Sequence, residues 1–122
     1  CMTELIQNWK TQIKKGYLEL CILLLIRKHD RLYGFDLLEK LKEIDLELKE
    51  GTLYPLLNRM TTDQVLKAVW ETENLKGHPR KFYSLTKSGE KILDEMKSEY
   101  ERMGKIFNSL NKWTSEKIPL EE

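Results

Sequence analysis

Five basic side chains, Lys76, Arg80, Lys81, Lys87 and Lys91, fall close together with one acid, Glu90, among them. Such a cluster suits phosphate oxygens, because several cations on one short segment displace the counterions of a nucleic acid. The competing reading is a lysine-rich surface facing water. Other chemistries find little support. Hydrolytic zinc sites generally need three protein ligands, and the chain offers two histidines, His29 and His78, with no clustered cysteines. No glycine-rich phosphate loop and no nucleophile elbow is present. The expectation is a binding protein, not an enzyme, with no metal and no cofactor.

The elements that would carry the cluster follow from periodicity. Leu5, Ile6, Trp9 and Ile13 recur at helical spacing, and from Leu18 onward the segment is apolar on nearly every side. That predicts a central helix from Leu5 to about Arg27, with Gly16 marking a bend or a close crossing. Lys28 to Leu32 reads as a turn. A second helix from Gly34 carries Leu37, Leu38, Leu41 and Ile44, and a third, from about Glu50 to Thr61, carries Leu53, Leu56, Leu57 and Met60. Their short separation suits a helix-turn-helix pair.

The period then changes to two. Leu66, Ala68 and Trp70 alternate with Val65, Lys67, Val69 and Glu71, and Arg80 to Thr86 alternates again. Residues 73–79, rich in turn formers, lie between, so a two-stranded hairpin with a long loop is expected. Thr86 is a candidate N-cap. Beyond it Ile92, Met96, Tyr100, Met103, Phe107, Leu110 and Trp113 recur at a mean spacing near 3.5, a coiled-coil-like seam. The seam packs either on the chain's own first helix or, as the favoured reading, against a second copy, since a stripe that long is a liability in water.

With 122 residues, 40% apolar and 34% charged, the chain has the composition of one globular domain. Twenty-one Lys and Arg nearly cancel twenty Asp and Glu, so any nucleic-acid site depends on local segregation of charge. The longest apolar run, Leu20 to Ile26, is far short of a membrane span. The N-terminal residues lack the layout of a signal peptide. Cys21 reads as a small buried hydrophobe, and the cytoplasm is the expected compartment.

EGTLYPLL at 50–57 with Asn58-Arg59-Met60, GYLELCILLLI at 16–26, Tyr33-Gly34, Trp70 and PRKFYSLTKSG at 79–89 together resemble the PadR family of bacterial transcriptional regulators. The match runs in order over about residues 14–112, and the single terminal helix resembles the short branch of that family. The resemblance implies a mainly α fold with a small β-hairpin: a winged helix-turn-helix over 1–87 and a dimerisation helix with its tail over 88–122. It further implies a homodimer that binds a pseudo-palindromic double-stranded operator, usually as a repressor, and a small molecule that relieves repression.

Under that resemblance the third helix is the recognition helix. Its apolar residues turn inward and leave Thr52, Tyr54, Asn58 and Arg59 on other faces. Thr52 and Tyr54 match DNA-facing positions of the family, against the plainer readings that Thr52 caps the helix and Tyr54 packs. Tyr33, at the start of the second helix, is placed near a phosphate or else closes the core. Arg80 and Lys81 match the basic pair after the wing tip, joined by Lys76; His78 reads as a solvated loop residue. Ile92, Met96, Tyr100, Met103, Phe107 and Leu110 would form the dimer interface.

Three positions depart from the family's pattern. Lys49 stands where a capping serine is common; it cannot accept the capping hydrogen bond and its charge opposes the helix dipole, so a DNA phosphate is expected to compensate it. Thr61-Thr62-Asp63-Gln64 replaces a glycine-containing turn, and a positive φ at Gln64 would cost about 1 kcal/mol. Tyr100 takes the position of a tryptophan in drug-responsive relatives, so Trp9, Ile13 and Tyr100 line either a pocket for a small aromatic effector or, as favoured, a plain dimer contact. A winged-helix module that docks on protein and no longer reads an operator is the alternative function.

Overall fold

The run from Leu18 to Ile26 has too little polar surface to lie on the outside, and the rest of the chain wraps it. In the computed structural model, which describes residues 1–71, 79–117 and 119–120, this run is the C-terminal half of α1 (Met2–His29). Leu18, Leu20, Ile22, Leu23 and Ile26 are all buried. Around them lie β1 (Leu32–Tyr33), α2 (Gly34–Glu43), α3 (Glu50–Thr62), β2 (Leu66–Glu71), β3 (Arg80–Leu85) and α4 (Lys87–Glu116). The fold is mainly helical with a small antiparallel sheet, a winged helix with a long terminal helix. Leu32 of β1, Leu37 and Leu41 of α2, Leu53, Leu57 and Met60 of α3, Leu66, Tyr83 and Leu93 complete the core.

Several sequence expectations are corrected. α1 runs from Met2 to His29, and Gly16 lies inside it without a crossing neighbour near enough to meet an added Cβ. Residues Lys28 to Leu32 are not simply a turn: α1 continues to His29, and Leu32 with Tyr33 forms a third strand, giving the sheet order β1-β3-β2. Two residues are too few to display an alternation, so the strand is visible only through its partners, Leu32 opposite Tyr83 and Tyr33 opposite Phe82. Ile44 is the exposed C-cap of α2 and takes no part in the core. Trp70 shares a face with Leu66 and Ala68, yet it lies beyond the core and is 58% exposed.

The two helices of the pair end in the same way. After α2, Asp45 adopts φ 63°, and the amides of Leu46 and Asp45 donate to the carbonyls of Leu41 and Lys42. After α3, Gln64 adopts φ 62°, and those of Val65 and Gln64 donate to Met60 and Thr61. These are Schellman turns, which satisfy the last carbonyls and reverse the chain sharply. Neither contains glycine, so each holds a side chain in the left-handed region. Gln64 thus does adopt the costly positive φ, and the short connection between the helices follows from the first of the two turns.

The second turn also anchors α4. Thr86 caps α4 by accepting from the Gly89 amide at 2.9 Å, while its hydroxyl donates to the Gln64 carbonyl at 2.6 Å and its amide to the Val65 carbonyl at 3.2 Å. Gly89 is required here: a Cβ would lie well inside 3.0 Å of the Val65 oxygen, closer than side chains tolerate. Arg27 of α1 adds ion pairs to Glu90 at 3.1 Å and Asp94 at 2.8 Å. Gly89→Ala is expected to destabilise by about 1–3 kcal/mol through overpacking against backbone. Gln64→Gly is expected to stabilise by about 1 kcal/mol by relieving the left-handed side chain. Urea unfolding followed by circular dichroism measures both.

Candidate nucleic-acid interface

α3 buries Leu53, Leu57 and Met60 and leaves Thr52, Tyr54, Asn58 and Arg59 on its outer sides. Its N-cap is Lys49, extended at φ −86° and ψ 153°, with no side-chain capping bond, so the first amides of α3 rely on other acceptors. Lys49 and Thr52 are exposed at this end. Thr52 is inside the helix, its amide bonded to the Lys49 carbonyl, and it is not the cap. Pro55 occupies the first turns, where the residue four positions earlier is the open Gly51.

Tyr54 does two things. Its ring crosses the start of α2 so closely that a Cβ on Gly34 would lie 2.6–2.8 Å from the ring carbons and phenol oxygen. The phenol thus sets the angle between α2 and α3 while remaining partly exposed. Desolvation, with a smaller contribution from the Glu50 carboxylate, pushes its pKa above the ordinary 10, so it stays a neutral donor. Arg59, on an outer side of α3 as expected, is ion-paired with Glu19 of α1.

At the root of the wing each basic residue is seated on an aromatic ring of a neighbouring strand. The Arg80 guanidinium lies 4.8 Å from the Tyr33 centroid, and the Lys81 ammonium 5.5 Å from that of Trp70. Tyr33 stacks on Phe82 at 3.7 Å on the side of the sheet away from Leu32 and Tyr83, which excludes its reading as a core-closing ring. A cleft of about 620 Å³ opens between this root and α3. Tyr33, Tyr54, Asn58, Arg80 and Lys81 all line it, joining residues from three separate elements, β1, α3 and β3. Lys49 and Thr52 lie outside the cleft lining, at the N-terminal end of α3. Lys76, with His78, lies outside the described residues.

The lining also includes residues beyond the expected site, among them the aromatics Phe35 and Trp70. Phe35 follows Tyr33-Gly34 as an aromatic on the polar side of α2, and Trp70 is an aromatic at the end of a strand next to the wing; both signals are present in the sequence but weak. Asp36 brings a negative charge to the same cleft, so the site is not uniformly basic.

Far from the wing, α1 and α4 leave much apolar surface uncovered. Leu5, Ile6, Trp9 and Ile13 on α1 and Ile92, Tyr100, Met103, Ile106, Phe107, Leu110 and Trp113 on α4 are all exposed, whereas Met96 packs partly against the core. Between the two helices runs a groove of about 840 Å³ lined by Trp9, Ile13, Tyr17, Leu20, Tyr100 and Phe107 among others. Tyr17, absent from the predicted lining, lies 5.5 Å from Tyr100. Its pKa is pushed up chiefly by the adjacent Cys21 thiol and secondarily by Tyr100.

Residues 22–95 match the profile of the transcriptional regulator PadR-like family, well over half of the chain. The chain belongs to the PadR-like family of transcriptional regulators. It is similar in structure to a PadR-like transcription factor from Bacteroides fragilis, with a TM-score of 0.72 and 43% identity, covering 84% of this chain and 98% of that one. A PadR-like transcriptional regulator from Bacillus cereus gives 0.70 and 34%, covering 81% and 95%. An uncharacterized protein from Lysinibacillus sphaericus is 28% identical over 102 residues, covering 81% of this chain and 92% of its own. Membership of a regulator family places the winged helix in a DNA-binding class. Among the described residues of this PadR-like chain, no helix is long and apolar enough to cross a membrane.

Burial raises the phenol pKa of Tyr83 as well as that of Tyr54. The folded chain therefore holds phenolic protons that the unfolded chain releases near pH 10. Where the native state binds more protons, stability falls as pH rises. It should be constant with respect to these groups below about pH 9 and decline through pH 10 and above. Tyr54→Phe should show a smaller decline in urea unfolding at alkaline pH.

Proposed function

We propose that this PadR-like protein is a homodimeric repressor that presents two copies of α3 to successive major grooves of a pseudo-palindromic operator. The observation that supports this best is the cleft between α3 and the wing root, where Tyr33, Tyr54, Asn58, Arg80 and Lys81 converge. Hydroxyl, amide and cationic groups are the donors that phosphate oxygens and base edges accept from. Lys49 stands at the N-terminus of α3, where a backbone phosphate would meet the ammonium and the unfilled amides together. Thr52 is exposed on the same turn and would reach the groove edge, and Lys76 would extend the cationic track along the wing.

Residues 88–122 would serve as the dimerisation segment, with Ile92, Met96, Tyr100, Met103, Phe107 and Leu110 facing the partner. The exposed rings and aliphatic chains along α4 and the first half of α1 form a surface of the kind that oligomers bury. A twofold axis there would set the two α3 helices about one helical turn, roughly 34 Å, apart. The groove holding Trp9, Ile13 and Tyr100 would become the place where a small aromatic effector enters, shifting the spacing of the two heads by its unequal affinity for the two arrangements.

Mobility shift on the duplex upstream of the chain's own gene tests the reading. With four or five phosphates neutralised per subunit, the logarithm of affinity should fall against that of salt with a slope of about −7 to −9. Lys49→Gln should reduce the slope by about two per dimer. A flat salt response would overturn the proposal in favour of a protein-docking module, as would a mass in solution of one chain, 14.6 kDa, at micromolar concentration. Quenching of tryptophan fluorescence by a planar aromatic cation, saturable in the wild type and lost in Trp9→Ala, is expected if the groove takes an effector.

A further inference from the structure

The outer side of the sheet carries an interleaved stack of four side chains. β1 and the residue before it supply Arg31 and Tyr33; β3 supplies Arg80 and Phe82. Residues two apart on a strand point to one side and lie roughly 6.5–7 Å apart, close to twice a ring-stacking distance, so each strand leaves room for one side chain of the other. Tyr33 and Phe82 are direct partners across the antiparallel pair and stack at 3.7 Å with their planes 25° apart. Phe82 occupies one face of Tyr33, and Arg80 lies over its ring at 4.8 Å. Arg31 lies over the Phe82 ring at 3.8 Å. The resulting order is cation, ring, ring, cation.

The two cations differ. Arg31 is held 3.8 Å from the Glu71 carboxylate, so part of its charge is met within the sheet. Arg80 lines the cleft beside α3 and makes no ion pair among the described residues. A guanidinium seated on an aromatic keeps its N–H groups in its own plane, pointing outward for acceptors. The stack also removes rotamer freedom before any ligand arrives, a cost that an exposed arginine otherwise meets on binding.

We propose that Phe82 is a positioning residue for DNA binding: through Tyr33 it holds the Arg80 guanidinium in place to receive a backbone phosphate or the minor-groove edge beside the recognition helix. Phe82 itself touches no DNA, and Arg31 closes the far end of the stack. This inference rests on the operator-binding reading, and the experiment separates the two.

A double-mutant cycle on the full chain tests it, with affinity for the upstream duplex measured across a salt series. Arg80→Met should weaken binding about tenfold and reduce the salt slope by about two per dimer, because one phosphate contact per subunit is lost. Phe82→Leu keeps every charge, so the slope should remain that of the wild type while binding weakens about fivefold through lost pre-organisation. Phe82→Tyr, which restores a ring, should recover wild-type affinity. In the Arg80→Met background Phe82→Leu should cost nothing further. An equal loss in both backgrounds would overturn the proposal, since the ring would then be acting on the fold alone. So would an unchanged affinity in Arg80→Met. Absence of salt-dependent binding by the wild type would instead remove the operator reading, and the proposal with it. A readout independent of DNA covers the case in which Phe82→Leu unfolds. In free wild-type protein the Arg80 δ-methylene protons should be shifted upfield by the Tyr33 ring current in NMR spectra. Random-coil shifts there would overturn the seated arginine.

Discussion

One backbone turn, from Asp63 to Val65, joins α3 to both β2 and α4. It ends α3 with a left-handed Gln64, starts β2, and offers the Gln64 and Val65 carbonyls to Thr86, the residue that caps α4. Gly89 then lies directly on Val65, so α4 cannot shift without moving the end of α3. α3, β2 and α4 therefore share a junction a few residues wide. The glycine and threonine in SLTKSG are needed there for contact distances and hydrogen bonding.

The near-zero net charge of the chain conceals how its cations are placed. Arg27, Arg31 and Arg59 are each engaged with carboxylates that tie α1 to α4, β1 to β2 and α3 to α1. Arg80 and Lys81 are seated on rings rather than paired with acids. An aromatic seat restrains a cation without neutralising it, and that suits a group that must still meet an anion outside the protein. The aromatic residues at the root of the wing thus do more than fill space, since they set where positive charge is presented.

The apolar surface has a similar division. The C-terminal half of α1 is the centre of the core, and the N-terminal half exposes Leu5, Ile6, Trp9 and Ile13. α4 behaves in reverse: near its start Leu93 belongs to the core and Met96 packs against it, and its later turns expose Met103, Phe107, Leu110 and Trp113. Each long helix has one end anchored and one end uncovered, and the two uncovered ends border the same groove.

The helices, the hairpin and the N-cap at Thr86 were legible in the sequence because each depends on local periodicity or on one side chain reaching its own backbone. The seven-residue rhythm of α4 and the all-round apolarity of Leu18–Ile26 likewise needed no partner to be recognised. The third strand was not, since Leu32 and Tyr33 acquire their ladder from β3, fifty residues away. Nor was the engagement of Arg59 by Glu19, or the placing of Trp70 beyond the core, because the type of a residue says nothing of which neighbour folding brings to it. The identities of Tyr33, Tyr54, Asn58, Arg80 and Lys81 were evident one by one; their convergence on a single cleft was decided by the angle of α3 against the sheet. The placing of α3 follows from the left-handed turns at Asp45 and Gln64 and from the Tyr54 ring lying across Gly34 at the start of α2. Local pattern determined which elements form, β1 excepted, and long-range contact alone decided which of their exposed side chains face the same space.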